Sequence, residues 1–154
     1  MELPFSFGHR NSVTEKLTPL SAPGAIYDGK SYPTAQHLFE AAKFLPHRPD
    51  IAEAILETRN AHEAVNVSAR EKQAIREDWA QIAQEKADEV LYHKFVQNEG
   101  ARRTLLRTGN MKLVCEHPDR WKWPRDAMSS EKWNEMERSL MSVRDKLRWE
   151  GVQS

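Results

Sequence analysis

Gln36, Glu40 and Lys43 set an amide, a carboxylate and an ammonium at i, i+4 and i+7. On a helix those three positions share one stripe, because side chains three and four residues apart lie over one another. Beside that stripe Ala35, Leu38, Phe39, Ala42 and Leu45 recur at three-four spacing, the pattern of a helix face held against a core. Three such polar groups near a helix N-terminus can bind a polar ligand. The alternative is a solvated face with a Glu40–Lys43 i,i+3 pair, worth about a few tenths of a kcal/mol.

The flanking sequence says which elements must position that stripe. Residues 1–32 read as short extended pieces and turns. Within them Asp28-Gly29, between Ala25-Ile26-Tyr27 and Ser31-Tyr32, predicts a β-hairpin, since both turn residues tolerate positive φ. Thr34 is a natural N-cap for the helix that follows, and Pro46 stops it. Pro49 and Asp50 suit the first turn of a second helix with Ile51 and Ile55 facing inward, and a third follows Asn60. The spacing of Ile75, Trp79, Ile82, Val90 and Phe95 predicts a long helix over about 73–98. Another runs from Ala101 to Thr108, closed by Gly109-Asn110. Lys112 to Cys115 reads as a short strand. Ser129 or Ser130 opens a last helix whose stripe is Trp133, Met136, Leu140, Val143 and Leu147. The expected fold is mainly α, a single compact domain over 1–154 with a small N-terminal β-hairpin.

Composition narrows the function. The chain has 154 residues with 23 basic and 23 acidic side chains, a formal net charge of zero. That argues against a protein that binds nucleic acid by bulk phosphate attraction, while leaving room for a local phosphate pocket. One cysteine excludes an internal disulfide framework. No targeting segment is visible, and nothing approaches the roughly 18 apolar residues of a membrane span, so a cytoplasmic protein is expected. The six glycines are isolated, which excludes a glycine-rich phosphate loop or dinucleotide fingerprint. The histidines form no zinc motif, so no metal site is expected. Cys115 beside Leu113 and Val114 reads as core, and Arg102-Arg103 as a solvated helix edge. Five tryptophans are the compositional oddity, four of them at 121 or later.

The segment Asp28-Gly29-Lys30-Ser31-Tyr32-Pro33-Thr34-Ala35-Gln36-His37, continuing through Ala42-Lys43-Phe44, resembles the signature of the NADAR, or YbiA-like, superfamily. Further likenesses follow in the same order: Asp78-Trp79, Lys94-Phe95 with Gln97, Leu105-Leu106 with Thr108-Gly109, Leu113-Val114, and Asn134 with Leu140-Met141 and Arg144. The resemblance implies a mainly helical N-glycosidase-like fold. It also implies hydrolysis of the bond between a ribose 5-phosphate moiety and an amine, in riboflavin-pathway intermediates or ADP-ribosyl compounds, without metal or redox cofactor. The implied partner is a small phosphorylated ribosyl or nucleotide ligand. Such chemistry builds positive charge on the ribose, which a carboxylate stabilises. The flat leaving group suits an indole, and the phosphate suits cations or helix-N-terminal amides. By this likeness Glu40, Gln36 and Asp126 become the catalytic candidates, and Trp79, Trp123, Lys30, His37, Lys43, Arg70 and Asn134 candidates for holding substrate. Trp79 at helical spacing also fits a plain core residue.

Three departures from the family pattern bear on activity. Gln36 stands where the family has a catalytic glutamate, and an amide cannot accept a proton. Pro19 in Leu17-Thr18-Pro19-Leu20 replaces an asparagine. Trp121-Lys122-Trp123-Pro124-Arg125-Asp126 replaces a glycine-rich loop that brings a pocket tryptophan and aspartate. Two readings stay open: an enzyme whose carboxylate has moved one turn to Glu40, and a binder of ADP-ribose or a related nucleotide that has lost catalysis.

Overall fold

The computed structural model describes residues 5–7, 17, 23–115 and 135–151. Its strands are β1 (Phe5–Phe7), β2 (Ala25–Tyr27), β3 (Lys30–Tyr32) and β4 (Leu113–Cys115). Its helices are α1 (Ala35–Ala42), α2 (Pro49–Leu56), α3 (Ala61–Arg70), α4 (Trp79–Gln97), α5 (Glu99–Arg107) and α6 (Glu135–Trp149). The fold is mainly α, with β2 and β3 forming the expected antiparallel hairpin. Asp28 (φ 51°) and Gly29 (φ 80°) both take positive φ, the twist a two-residue hairpin turn needs. The strand at Leu113–Cys115 finds a partner the sequence did not announce: it pairs in parallel with β1, Phe5 opposite Leu113.

The hairpin is pinned beside the start of α1. Gln97 closes the free edge of β2, its Oε1 accepting from the Ile26 N–H (2.6 Å) and its Nε2 donating to the Ile26 carbonyl (2.9 Å). Asn98 Nδ2 donates to the Gly24 carbonyl at 2.7 Å. A Cβ on Gly24 would stand 1.9 Å from the Tyr32 carbonyl oxygen, so only glycine allows that approach. Thr34 caps α1 as expected, its side chain accepting from the His37 N–H at 3.1 Å.

Every residue of α1 is buried, with α2, α3 and α4 packed around it. Pro49 opens α2, whose Ile51 and Ile55 point into the core, and Asn60 caps α3 through the Glu63 N–H at 2.9 Å. The long middle helix starts six residues later than its periodicity predicts. A 3₁₀ turn at Lys72–Ala74 gives way to extended backbone at Ile75. The Arg76 N–H then donates to the Lys43 carbonyl (3.0 Å), which ties the chain to the end of α1 instead of to its own ladder. α4 therefore runs antiparallel to α1, with Trp79 at the Lys43 end and Asn98 beside the residues that start α1.

Gly109 (φ 59°) ends the α5 region in the left-handed conformation expected of it. Arg102 departs from the solvated-edge expectation. Its guanidinium donates to the carbonyls of Phe95 (3.3 Å) and Val96 (2.8 Å), closing the end of α4, while Arg103 pairs with Glu99 in solvent. Leu140, Val143 and Leu147 of α6 are buried as their stripe predicts. The expected start of that helix, with Trp133, lies outside the described residues, and so do Pro19 and Trp121. Phe39, Phe44, Ile55, Leu91, Phe95 and Leu105 form the middle of one core cluster. Among the described residues no helix is long and apolar enough to cross a membrane.

Candidate functional site

The stripe read from sequence is a connected network. Gln36 Nε2 donates to Glu40 Oε2 at 2.6 Å, and Lys43 Nζ donates to Glu40 Oε1 at 2.7 Å. Lys43 also donates to Ser68 Oγ of α3 at 3.3 Å. The i, i+4, i+7 spacing supplies the first two contacts, and the packing of α3 on α1 supplies the third. The side chains of Glu40 and Lys43 are 3% and 4% exposed, so the solvated-face alternative is excluded. The interaction is a buried ion pair in a low-dielectric setting, where removing either partner is costly.

Aromatic rings complete the enclosure. Lys43 Nζ lies 5.6 Å from the Phe39 ring centroid and 5.8 Å from that of Trp79, within cation–π range of both. The two rings pack on each other at 5.1 Å with a 58° tilt. Trp79 is thus a core residue and a wall of the polar network at once. The core reading of Trp79 matches its burial and its packing on Phe39. Two polar atoms of the assembly have no hydrogen-bond partner among the described residues: Gln36 Oε1 and Trp79 Nε1. Buried groups in that state are rare in native proteins.

The other candidates divide. His37 is fully buried one position along α1, but both ring nitrogens are engaged by the protein: Nδ1 with Thr34 Oγ1 at 2.7 Å and Nε2 with the Thr58 carbonyl at 3.3 Å. A carbonyl only accepts, so Nε2 carries the proton, and the Thr34 hydroxyl donates to Nδ1. Desolvation pushes the imidazole pKa down, against smaller opposing effects of the Thr58 carbonyl and Glu63. Lys30 sits on the hairpin and pairs with Glu53 at 2.7 Å, both half-exposed. Arg70 is exposed at the end of α3, two residues beyond Ser68. Trp123, Asp126 and Asn134 lie outside the described residues.

Sequence reasoning did not single out Ser68 or Phe39, which act on Lys43 from another helix and from the apolar stripe. Nor did it single out Lys94 as an unusual amine. Lys94 is fully buried, and desolvation pushes its pKa down to about 7. Nothing in local spacing marks a lysine that the fold encloses.

The NADAR domain family model matches residues 4–148. The chain belongs to the NADAR domain family. Among NADAR relatives, a riboflavin biosynthesis protein of Vibrio vulnificus is 32% identical over 147 residues, 96% of this chain and 39% of that protein. N-glycosidase YbiA of Escherichia coli K12 is 29% identical over 120 residues, 78% of this chain and 73% of its own length. The chain therefore spans well under half of the Vibrio protein. The NMR structure of E. coli YbiA superposes with a TM-score of 0.79 at 23% identity, covering 100% of this chain and 90% of that one. This likeness fixes the NADAR fold, and within it the Gln36–Glu40–Lys43 network falls on the helix that carries the family resemblance.

Proposed function

We propose that this NADAR chain is an N-glycosidase that hydrolyses the bond between ribose and an amine nitrogen in a phosphorylated ribosylamino or ADP-ribosyl compound. The single observation that carries this reading is the buried Glu40 carboxylate, set between Gln36 and Lys43 with Trp79 alongside. Support comes also from the names of its relatives, N-glycosidase YbiA and riboflavin biosynthesis protein.

The roles follow from charge. As the C1′–N bond lengthens, positive charge grows on the ribose, and the Glu40 anion stabilises it. Water adds to C1′, the pair of electrons of the broken bond leaves with nitrogen, and the nitrogen takes up the proton that water releases. Gln36 and Lys43 hold Glu40 in one orientation, which removes reorganisation from the reacting step. Trp79 offers a ring to the departing heterocycle. Lys30 and Arg70 are exposed cations for the phosphate, and Asp126, Trp123 and Asn134 remain site candidates from the resemblance. His37, both ring nitrogens engaged by Thr34 and Thr58, is assigned to holding α1 rather than substrate. No metal or redox group enters this scheme.

The test is incubation with a ribosylaminopyrimidine phosphate, reading released aminopyrimidine and ribose 5-phosphate, and with ADP-ribosylated nucleotides, reading free nucleotide and ADP-ribose. Turnover in the wild type that is lost in Glu40→Gln supports the reading. Turnover that persists at wild-type rate in Glu40→Gln removes Glu40 from the chemistry. A second reading has its own observation: both Glu40 oxygens already accept hydrogen bonds, from Gln36 and from Lys43. A carboxylate so occupied fits a binder of ADP-ribose or a related nucleotide, which calorimetry with binding and no product would establish.

A further inference from the structure

Gln36 and Trp79 each keep one hydrogen-bonding atom unmatched at a place the protein has otherwise closed. Gln36 is 0% exposed and Trp79 5%. Among the described residues Gln36 Oε1 and Trp79 Nε1 have no partner, although their neighbours Glu40 and Lys43 are tightly bonded. A buried unmatched polar atom loses its hydration without replacement, so two of them beside a buried ion pair need a cause.

The orientation of Gln36 is set by chemistry. Its Nε2 donates to Glu40 Oε2 at 2.6 Å. A flipped amide would bring its carbonyl oxygen against the carboxylate, two acceptors face to face. Oε1 is therefore presented as an acceptor and cannot exchange roles. An indole nitrogen only donates. The network thus offers a ligand one fixed acceptor and one fixed donor.

We infer that Gln36 Oε1 accepts a hydrogen bond from the N–H of the scissile linkage, and that Gln36 thereby selects ribosylamines over ribosides whose linking atom bears no hydrogen. This rests on the reading of the site as one that holds a ribosylamine at Glu40. If Glu40 faces C1′, an amide tethered to its oxygen faces the groups around C1′, whose nearest hydrogen-bond donors are the linking N–H and the hydroxyl on C2′; the ring oxygen only accepts. The nitrogen gains a proton as it departs, so an acceptor there keeps its bond from bound substrate to product. Trp79 N–H donates to an acceptor on the leaving group. A glutamate at position 36 would instead stand as a second anion against Glu40, so the amide also leaves Glu40 the sole carboxylate of that stripe.

The experiment is binding of a matched ligand set by calorimetry to the folded wild type: ribosylaminouracil phosphate, its counterpart with the linking N–H replaced by oxygen, and its 2′-deoxy form. Loss of the N–H is expected to weaken binding about 10- to 100-fold, as when a site built to accept a hydrogen bond meets an analogue lacking the donor. The 2′-deoxy form is expected to bind like the parent. In Gln36→Met the difference between the N–H and oxygen forms should collapse, and Trp79→Phe should weaken both forms alike by about tenfold. Equal wild-type binding of the two linkages, a loss that follows the 2′-hydroxyl, or no binding of any of the three overturns the inference. The wild-type comparison stands without either variant. Discrimination without turnover would defeat the N-glycosidase reading while leaving this selection in place.

Discussion

Two buried polar clusters sit side by side on α1, and they differ in one respect. Around His37 every hydrogen bond closes: the Thr34 hydroxyl accepts from the His37 N–H and donates to Nδ1, and Nε2 donates to the Thr58 carbonyl. Around Gln36, Glu40 and Lys43 the carboxylate and ammonium pair, but among the described residues Gln36 Oε1 and Trp79 Nε1 are left open. A closed cluster joins the first turn of α1 to the loop between α2 and α3 and has nothing left to offer a ligand. An open one retains hydrogen-bonding capacity at a cost in stability, the usual sign of a site shaped for binding. Adjacent positions in a single family motif thus differ: His37 has spent its hydrogen-bonding capacity on the fold, and Gln36 has kept some.

The strongest way to break this contrast is Lys43→Met. It leaves the Glu40 carboxylate buried without its ammonium, and urea denaturation should show a loss of about 3–5 kcal/mol. A loss below about 1 kcal/mol would mean that the ion pair is not what the burial implies. Ligand binding should fall as well, because Glu40 loses its fixed orientation.

His37→Leu should be next in size and different in kind. It strands the Thr58 carbonyl and the Thr34 hydroxyl, costing about 1–3 kcal/mol, while folded protein keeps its ligand affinity. The pH dependence identifies the cause. Above the ordinary imidazole value of 6.5 both folded and unfolded His37 are neutral and contribute no slope. Below it the unfolded chain binds the proton first, because burial lowers the folded pKa, so stability falls with pH. Denaturation curves across that range should show this slope in the wild type and its reduction in His37→Leu. An unchanged slope would place the titration elsewhere.

Lys30→Ala should have the smallest effect on stability. Its ammonium meets Glu53 in solvent, where such pairs contribute little, so the denaturation midpoint should stay where it is. Ligand affinity sharpens the comparison. A drop that grows weaker at high salt would make Lys30 a phosphate contact, and no drop would confine recognition to the buried stripe and residues beyond the hairpin.

The local elements around the site were legible because each rests on neighbours in the chain. Asp28-Gly29 needs only tolerance of positive φ, Thr34 and Asn60 need only reach their own helix's N–H groups, and Gln36, Glu40 and Lys43 meet because a helix stacks them. The start of α4 was not legible, since Arg76 is diverted by the Lys43 carbonyl, a partner 33 residues away (76 − 43). Arg102 was misplaced for the same kind of reason: the carbonyls it closes belong to another helix. The family likeness located the motif, yet it did not separate His37 from Gln36.

By itself, then, the sequence determined a mainly helical NADAR chain with an amide, a carboxylate and an ammonium in register on one helix. Tertiary structure decided that this register is buried, that Ser68, Phe39 and Trp79 enclose Lys43, and that two hydrogen-bonding atoms stay open. The physical reason is range. Helical stacking acts over four residues, whereas desolvation depends on every element that packs against the helix.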